Sequence, residues 1–138
     1  MMYQTIAKAQ GGGRKGRAEL LDGGLYLSMD VPTEMGGDGN GSNPEQLFAL
    51  GYAACYLGAM RFVAGAEKLG TVPAEASVTA EVGISPRAEG GFGISATLRV
   101  RLPGLDFDSA RRIAERGHFI CPYSNAIKGN VNVVTILE

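Results

Sequence analysis

The chain has 138 residues, which is enough for one hydrophobic core, and we predict a single domain over residues 1–138. Hydrophobic residues make up 45% of it and charged residues 20%, as in a soluble globular protein. The formal net charge of −1 provides no basic surface for nucleic acid or anionic lipid, so we expect neither as a partner.

The first part of the chain combines strand signals with glycine-rich turns. Residues 3–9 and 18–31 have the character of strands, and Asp22-Gly23-Gly24 is a hairpin-type turn inside the second range. Residues 36–42 are predicted to form a flexible loop. The chain begins without the apolar segment of a signal peptide, so we expect a cytoplasmic protein.

A strong helix start follows this loop. Ser42 or Asn43 can cap the helix, and Pro44 suits its first position. Glu45 lies in the first turn, where the helix dipole favours an anion. The pattern predicts a helix that continues to about Lys68.

The interior of this helix is apolar on nearly every face, with small residues that allow close packing. Its apolar run at residues 47–60 spans about 14 residues, whereas a membrane-spanning helix needs about 20. We therefore predict a long buried central helix and no membrane span. A single domain of this size has too few layers to cover such a helix on all sides, so we infer a homodimer that buries it.

The remaining strands surround a second helix. Residues 76–85 and 92–102 alternate in polarity and predict an antiparallel hairpin, and residues 131–137 predict a closing strand. The order βββ-α-ββ-α-β predicts an α+β fold, with a helical layer on a mostly antiparallel sheet.

The second helix is predicted to be short and amphipathic. Asp108 or Ser109 can cap it, and we expect it to run through Arg116 and to end at Gly117. The segment after it, which contains Cys121, is predicted to be rich in turns.

Cys55 and Cys121 are the two cysteines of the chain. A cysteine inside an apolar helix is often a small core residue, and that interpretation fits Cys55 taken alone. If the fold brings the two together in a reducing compartment, they form a redox-active dithiol pair instead. No zinc pattern is present, so we predict no metal, and the single histidine, His118, is expected to cap or to make a buried hydrogen bond.

A reactive cysteine needs a cation or a helix N-terminus near its sulfur, and Cys55 lies in the middle of its own helix. Arg14 follows three glycines and could supply the charge; the alternative is a solvated basic turn with Lys15 and Arg17. Glu45 could fix Arg14 by a bidentate ion pair, or it could act only as a partner of the helix dipole.

Helix geometry limits how Glu45 can reach Cys55. Ten residues along a straight helix separate them by about 15 Å and put them on different faces. A site with both residues requires either a break in the helix or Glu45 of the partner subunit. The second arrangement agrees with the inferred homodimer, and it is our hypothesis.

Three segments resemble the organic hydroperoxide resistance proteins of the OsmC/Ohr family. They are GGRKG at 12–16, NPEQLFALGYAAC at 43–55 and HFICPYSNAIKGNVNV at 118–133. The similarity runs in order over nearly the whole chain. It implies an OsmC/Ohr-like fold, an intertwined homodimer, and a thiol-dependent peroxidase that reduces organic hydroperoxides and protects against oxidative stress.

The resemblance also implies a role for each site residue. Cys55 would attack the peroxide and become a sulfenic acid, Cys121 would resolve it as a disulfide, and Arg14 with Glu45 would be the activating pair. No bound cofactor is implied. An external dithiol, a lipoyl group on another protein, would reduce the disulfide.

Apolar residues are expected to form a substrate channel that favours alkyl and fatty-acid hydroperoxides. The candidates are Met35, Leu47, Phe48, Met60 and Phe119. Two other functions remain open from the sequence. One is an OsmC-type peroxidase with broader peroxide use, and the other is a redox-inert dimeric module that binds ligands in the same groove.

Overall fold

A computed structural model describes every residue of the chain, 1–138. The fold is α+β, with six strands in two three-stranded sheets and three α-helices. The residues cluster into two compact units, Met1–Leu47 and Phe48–Glu138. The mostly antiparallel pairing expected from the sequence is confirmed, with three antiparallel strand pairs and one parallel pair, and the strands form two sheets.

The first sheet consists of β1 (Ala7–Gln10), β2 (Gly16–Leu20) and β3 (Tyr26–Met29), which pair antiparallel in that order. The predicted hairpin turn joins β2 to β3, and a hydrogen bond from the Leu20 N–H to the Leu25 carbonyl closes it at 2.9 Å. Strands are confirmed within both predicted stretches, although β1 begins at Ala7 and residues 3–6 lie outside it.

The long helix α1 spans Pro44–Ala66 without a break. Asn43 caps it, since its side chain accepts from the Gln46 N–H at 2.9 Å. The Gln46 side chain in turn accepts from the Asn43 N–H at 3.1 Å, which completes a capping box. The helix ends earlier than predicted because Lys68 takes the left-handed conformation that terminates helices (φ 54°).

One face of α1 is buried in the core, as predicted. Its buried residues are Tyr52, Tyr56, Ala59, Met60, Val63 and Ala64. Another face is exposed and apolar: Leu50 and Phe62 are 69% and 63% exposed, with exposed Ala54 and Gly58 between them. We call these four residues the exposed stripe. One chain alone therefore does not cover α1 on every side.

The second sheet contains β4 (Ser77–Pro86), β5 (Phe92–Arg101) and β6 (Val133–Leu137). β4 and β5 form the predicted antiparallel hairpin, whereas β6 pairs parallel to β5. The parallel pairing follows from the long connection between β5 and β6, because parallel neighbours need a crossover, usually helical, to return the chain in the same direction.

This connection contains α2 (Phe107–Ile120) and α3 (Pro122–Ile127). The cap of α2 is Asp106, not Asp108 or Ser109, and its carboxylate accepts from the Ser109 N–H at 3.0 Å. The predicted end of this helix is also wrong, since α2 continues past Gly117. The segment that we expected to be rich in turns is helical on both sides of Cys121.

Gly117 is buried inside α2 for a reason that lies in another helix. A Cβ at this position would lie 2.7 Å from Cγ of Met60 and 3.1 Å from Cε2 of Tyr56. The close approach of α2 to α1 leaves no room for a side chain, so glycine serves packing here and not helix termination.

By length and composition α1 is long and apolar enough to cross a membrane, and 33% of its most apolar window is buried in the chain. Core helices of soluble proteins satisfy the same criteria, so this property is weak evidence for a membrane span.

Candidate active site

Cys55 and Cys121 lie side by side in the second unit. Cys55 is on α1, and Cys121 is both the C-cap of α2 and the N-cap of α3. Both are free thiols, and the Cys121 thiol donates a hydrogen bond to Sγ of Cys55 at 3.3 Å. Cys121 is fully buried and Cys55 is half-buried. The fold thus brings the two cysteines together, with one of them accessible from outside.

A backbone donor also contacts the Cys55 sulfur. The N–H of Tyr123, in the first turn of α3, donates to it, which favours the thiolate. Burial disfavours the thiolate more strongly, so the pKa of Cys55 is raised, and the Cys121 thiol adds to this effect. The sequence reasoning missed this donor. The proline after Cys121 could have indicated a helix N-terminus here, because proline favours the first position of a helix.

Arg14 and Glu45 form the bidentate ion pair considered from the sequence, within the first unit. Nη1 of Arg14 donates to Oε2 at 2.9 Å, and Nη2 donates to Oε1 at 2.6 Å. These hydrogen bonds raise the pKa of Arg14 and lower the pKa of Glu45. The Arg14 side chain is still 39% exposed. The guanidinium is therefore a fixed charge with part of its surface free.

The glycines before Arg14 shape the turn that carries it. Gly11, Gly12 and Gly13 have φ angles of 77°, 117° and 70°, which residues with side chains rarely adopt. A Cβ on Gly12 would also lie 2.8 Å from the carbonyl oxygen of Lys15. The run of glycines thus permits a tight turn between β1 and β2.

The helix between Glu45 and Cys55 is continuous. Of the two arrangements considered from the sequence, the break in the helix is therefore excluded. The contribution of Glu45 of the partner subunit stays a prediction.

A row of polar side chains runs from α1 to β6 in the second unit. Oη of Tyr52 lies 2.8 Å from Oγ of Ser124, which lies 2.8 Å from Nδ1 of His118. Nε2 of His118 lies 2.7 Å from Oγ1 of Thr135, and the ring stacks on Tyr56 with 4.4 Å between centroids. Burial lowers the pKa of His118. The hydrogen-bonding role predicted for His118 is confirmed, and we call these four hydrogen-bonded residues the polar row.

The residues predicted to form a substrate channel occupy different environments. Met60 is fully buried in the core, and Phe119 is exposed beneath the Arg116 guanidinium, 4.4 Å from the ring centroid. Met35 is exposed in a 3-10 turn, and Leu47 is half-buried. A channel role for these four residues stays a prediction.

Phe48 lines a groove of about 330 Å³ in the second unit, whose walls combine apolar side chains with Arg87 and Asn130. Its ring also packs against Tyr52 and Tyr123, and the backbone N–H of Tyr123 contacts the Cys55 sulfur. The sequence reasoning missed the other lining residues, which include Arg87, Phe92, Ile94, Ile127, Asn130 and Val131. On β5 the sequence could have indicated Phe92 and Ile94, because residues two apart share one face of a strand.

Comparisons with known proteins identify the family. A family model described as OsmC-like protein matches residues 37–136. The chain belongs to the OsmC-like family. The matched OsmC-like segment contains Glu45, Cys55 and Cys121, and Arg14 precedes it. No group of three or more His, Cys, Asp or Glu side chains in this OsmC-like chain is arranged to hold a metal ion.

Relatives match the chain from end to end. An organic hydroperoxide resistance protein of Xanthomonas axonopodis pv. citri is 46% identical over 138 residues, covering 99% of this chain and 95% of the relative. The structure of an organic hydroperoxide resistance protein from Legionella pneumophila superposes with a TM-score of 0.93 at 43% identity, covering 100% and 98%. OhrB of Bacillus subtilis superposes with a TM-score of 0.88 at 35% identity, covering 100% of both chains. The predicted OsmC/Ohr resemblance is confirmed.

Proposed function

We propose that the chain is a thiol-dependent peroxidase that reduces organic hydroperoxides to alcohols and protects the cell against oxidative stress. The observation that carries this proposal is the pair of free thiols 3.3 Å apart, one half-buried and one fully buried. A half-buried sulfur can meet a substrate, whereas a fully buried sulfur can react only with its neighbour. The names of the relatives agree with this substrate class.

The reaction follows from these two positions. The Cys55 thiolate attacks the outer peroxide oxygen, the O–O bond breaks, and the alkoxide takes a proton to leave as an alcohol. The sulfur of Cys121 then attacks the Cys55 sulfenic acid, the S–O bond breaks, and water leaves as the disulfide forms. This second step protects Cys55 from further oxidation.

Arg14 is the proposed source of positive charge. The raised pKa of Cys55 means that its surroundings in the second unit disfavour the thiolate, so a cation is needed. The bidentate bond to Glu45 fixes the guanidinium and leaves part of it exposed. A fixed cation would stabilise the thiolate and the charge that develops on the peroxide oxygens.

We also propose that the protein acts as an intertwined homodimer. The exposed stripe is apolar and has small residues at its centre, and a Cβ on Gly58 would meet nothing within 4 Å. A second copy of α1 could therefore approach closely and bury Leu50 and Phe62. In such a dimer the Arg14–Glu45 pair of one subunit would complete the site of Cys55 in the other.

The groove at Phe48 is the proposed site for the organic part of the substrate. Each methylene buried there contributes about 0.8 kcal/mol, which favours alkyl and fatty-acid hydroperoxides over hydrogen peroxide. Met35, Leu47, Met60 and Phe119 remain candidates for further contacts.

An external dithiol is the proposed reductant, and a lipoyl group on a protein is the proposed partner. A dithiol can open the disulfide by exchange and leave as a disulfide itself, so the chain needs no bound cofactor. The cytoplasm is the proposed location, because that compartment keeps thiols reduced between turnovers.

The test is lipoamide-dependent consumption of cumene hydroperoxide by the wild type and by Cys55→Ser and Cys121→Ser. We expect no activity in Cys55→Ser, which lacks the nucleophile. Cys121→Ser should complete one turnover and then be recycled poorly by the dithiol. Full activity in Cys55→Ser would overturn the assignment.

Two further measurements separate the alternative functions. Equal rates with tert-butyl hydroperoxide and hydrogen peroxide would indicate OsmC-type activity with broader peroxide use. If both thiols remain titratable after one equivalent of cumene hydroperoxide, the chain binds ligands without redox chemistry.

A further inference from the structure

The polar row joins the two turns that carry the cysteines. Tyr52 precedes Cys55 by three residues, about one turn of α1, and Ser124 follows Cys121 by three residues in α3. The 2.8 Å hydrogen bond between Tyr52 and Ser124 therefore links the α1 turn of the nucleophile to the α3 turn of its neighbour. The reaction proposed above makes no use of this link.

The two ring nitrogens of His118 join Ser124 and Thr135 in the row. A neutral imidazole has one N–H and one acceptor nitrogen, so of Ser124 and Thr135 one must donate to the ring and the other must accept from it. With a neutral imidazole, each hydrogen-bonding side-chain atom of the row, from Thr135 to the Tyr52 hydroxyl, can have a partner. A protonated imidazole would donate at both ends and would force Ser124 to accept from it.

The ring of His118 has little freedom to rearrange. It is stacked on Tyr56, whose hydroxyl donates to the Ala114 carbonyl at 2.6 Å. The ring itself is bonded at both nitrogens. His118 is thus a rigid element between α2, α3 and β6, and Ser124 is held from two sides.

We propose that Ser124 and His118 are positioning residues for the disulfide-forming step, holding the α3 turn of Cys121 against the α1 turn of Cys55. This inference rests on the proposed peroxidase function. In that step the Cys121 sulfur attacks the Cys55 sulfenic acid, the S–S bond forms, and the S–O bond breaks. The hydroxide that leaves takes the proton from the Cys121 thiol, so that water is the product. Ser124 and His118 act through α3 and do not touch the reacting atoms.

The polar row also borders solvent. Its four residues line a cavity of about 390 Å³ that is also lined by Glu115 and Lys128. Protons can therefore reach His118, and the charged groups that share its cavity are one carboxylate and one ammonium. Tyr52, at the inner end of the row, is also titratable, and burial raises its pKa. Acidification should protonate His118, after which the ring donates to both Ser124 and Thr135 and one of its two hydrogen bonds reverses.

The experiment is a single turnover with one equivalent of cumene hydroperoxide, quenched in acid and followed by intact mass. The sulfenic acid and the disulfide differ in mass, so attack and resolution are timed separately. We expect Ser124→Ala to leave peroxide attack unchanged and to slow disulfide formation by about tenfold or more, the order of effect expected when reacting groups are misplaced. The sulfenic acid should then accumulate. Tyr52→Phe, which removes the other hydroxyl of the link, should show the same pattern.

Ser124→Thr and Ser109→Ala are the controls. Ser124→Thr keeps the hydroxyl and should restore disulfide formation, whereas Ser109→Ala removes a hydroxyl that bonds only Asp106 on α2 and should change neither step. Disulfide formation at the wild-type rate in Ser124→Ala would overturn the inference. A Ser124→Thr variant as slow as Ser124→Ala would also overturn it, because packing and not the hydroxyl would then be responsible.

A pH series tests His118. The ratio of the wild-type rate of disulfide formation to the Ser124→Ala rate should fall toward one as the pH drops through the pKa of His118, which burial lowers below the ordinary 6.5, because protonation reverses one of the ring's two hydrogen bonds and the Ser124→Ala variant has already lost the row. A ratio that is constant with pH would remove His118 from the proposal. If the wild type itself loses no thiols to the hydroperoxide, the proposed peroxidase function fails instead.

Discussion

The cysteine pair and the arginine pair are held by opposite means. Cys55 and Cys121 lie in the second unit, among buried groups joined by neutral hydrogen bonds. Arg14 and Glu45 lie in the first unit, carry full charges, and are joined by a bidentate ion pair at a turn with three glycines. Cys121 is shielded from water and Cys55 only partly so, whereas the Arg14 side chain is 39% exposed.

This difference shows why neither pair is sufficient for the proposed chemistry. Burial raises the pKa of Cys55, and the Tyr123 N–H offsets only part of that effect. The surroundings that protect the sulfur thus suppress the thiolate that must react. The arginine pair has the missing charge and no nucleophile. The two pairs can therefore be changed separately, and so can the link that we propose between them.

Removal of the Arg14 charge should have the largest effect. In Arg14→Ala the thiolate and the developing charge on the peroxide lose their cation, so we expect thiol oxidation by cumene hydroperoxide to slow by about 100- to 1000-fold. Arg14→Lys keeps a charge without the bidentate bond, so its rate of thiol oxidation should lie between the rates of the wild type and of Arg14→Ala. The control is Arg17→Ala, a nearby exposed arginine. Equal rates in Arg14→Ala and Arg17→Ala would contradict the assignment.

The same variant can show whether the pairs meet across a dimer. A heterodimer of Arg14→Ala and Cys55→Ser subunits, purified with two different tags, contains one intact site if Arg14 serves the other subunit's sulfur. It should then have about half the wild-type activity, because one of two sites is complete. If each chain completes its own site, this heterodimer has no intact site and should be inactive.

A charge in the exposed stripe should separate the subunits. Phe62→Glu places a carboxylate where we propose that a second α1 packs, so the protein should become monomeric in light scattering and lose about tenfold or more of its activity. Phe107→Glu is the matched control, since Phe107 is 68% exposed and lies on α2. A Phe62→Glu monomer with full activity would mean that the two pairs meet within one chain.

The pH dependence of Cys55 should reveal the influence of the arginine pair. In a Cys121→Ser background, alkylation by iodoacetamide reports the Cys55 thiolate alone. With Arg14→Ala added, the rate should rise about tenfold per pH unit up to and beyond pH 9.0, because burial raises the pKa of Cys55 above that ordinary value. With Arg14 present, the rise should level off at lower pH. Identical profiles would show that Arg14 does not act on this sulfur.

Acid should break the Arg14–Glu45 ion pair only at low pH. Its hydrogen bonds lower the pKa of Glu45 below the ordinary 4.5, so the stabilisation from this pair is fully present above pH 4.5. It is lost only as the pH falls through the lower pKa of the folded state. The pH dependence of alkylation near neutrality therefore reports Cys55 and not the loss of Glu45.

Local chemistry explains which parts of the fold could be predicted. The start of α1 follows from Asn43, Pro44 and the residues after them, because a cap is made within one turn. Gly117 was misread as a helix end, because its reason lies in Met60 and Tyr56 on α1, far away in sequence. The parallel pairing of β6 likewise depends on the path of the chain and not on the composition of that strand.

The candidate site was predictable to a similar extent. Arg14 and Glu45 could be paired from the sequence because a flexible glycine turn and an acidic first turn suggest complementary charges. The Tyr123 donor was not found, because α3 has six residues and is too short for helical periodicity. The polar row was not predictable either, since it joins Tyr52, Ser124, His118 and Thr135 from four different elements.

Gly117→Ala should perturb the cysteine pair without touching the arginine pair. Its methyl group must displace Met60 or Tyr56 in the core, so we expect a loss of about 1–3 kcal/mol in the free energy of unfolding by urea. The Cys121 N–H donates to the Gly117 carbonyl at 2.8 Å, so disulfide formation should also slow. Gly65→Ala, in open space on α1, should instead stabilise by about 1 kcal/mol. Equal stability of the two variants would show that Gly117 is not tightly packed.

Gly12→Ala is the corresponding change at the arginine pair. The left-handed φ costs a residue with a side chain about 1–2 kcal/mol, and its Cβ would also approach the Lys15 carbonyl oxygen at 2.8 Å. Gly13→Ala has only the cost of the left-handed φ, because a Cβ there has nothing within 4 Å. In urea unfolding Gly12→Ala should therefore be the less stable of the two, and its thiol oxidation the slower. If both oxidise thiols as fast as the wild type, the turn does not set the position of Arg14, and the ion pair with Glu45 is sufficient to hold it.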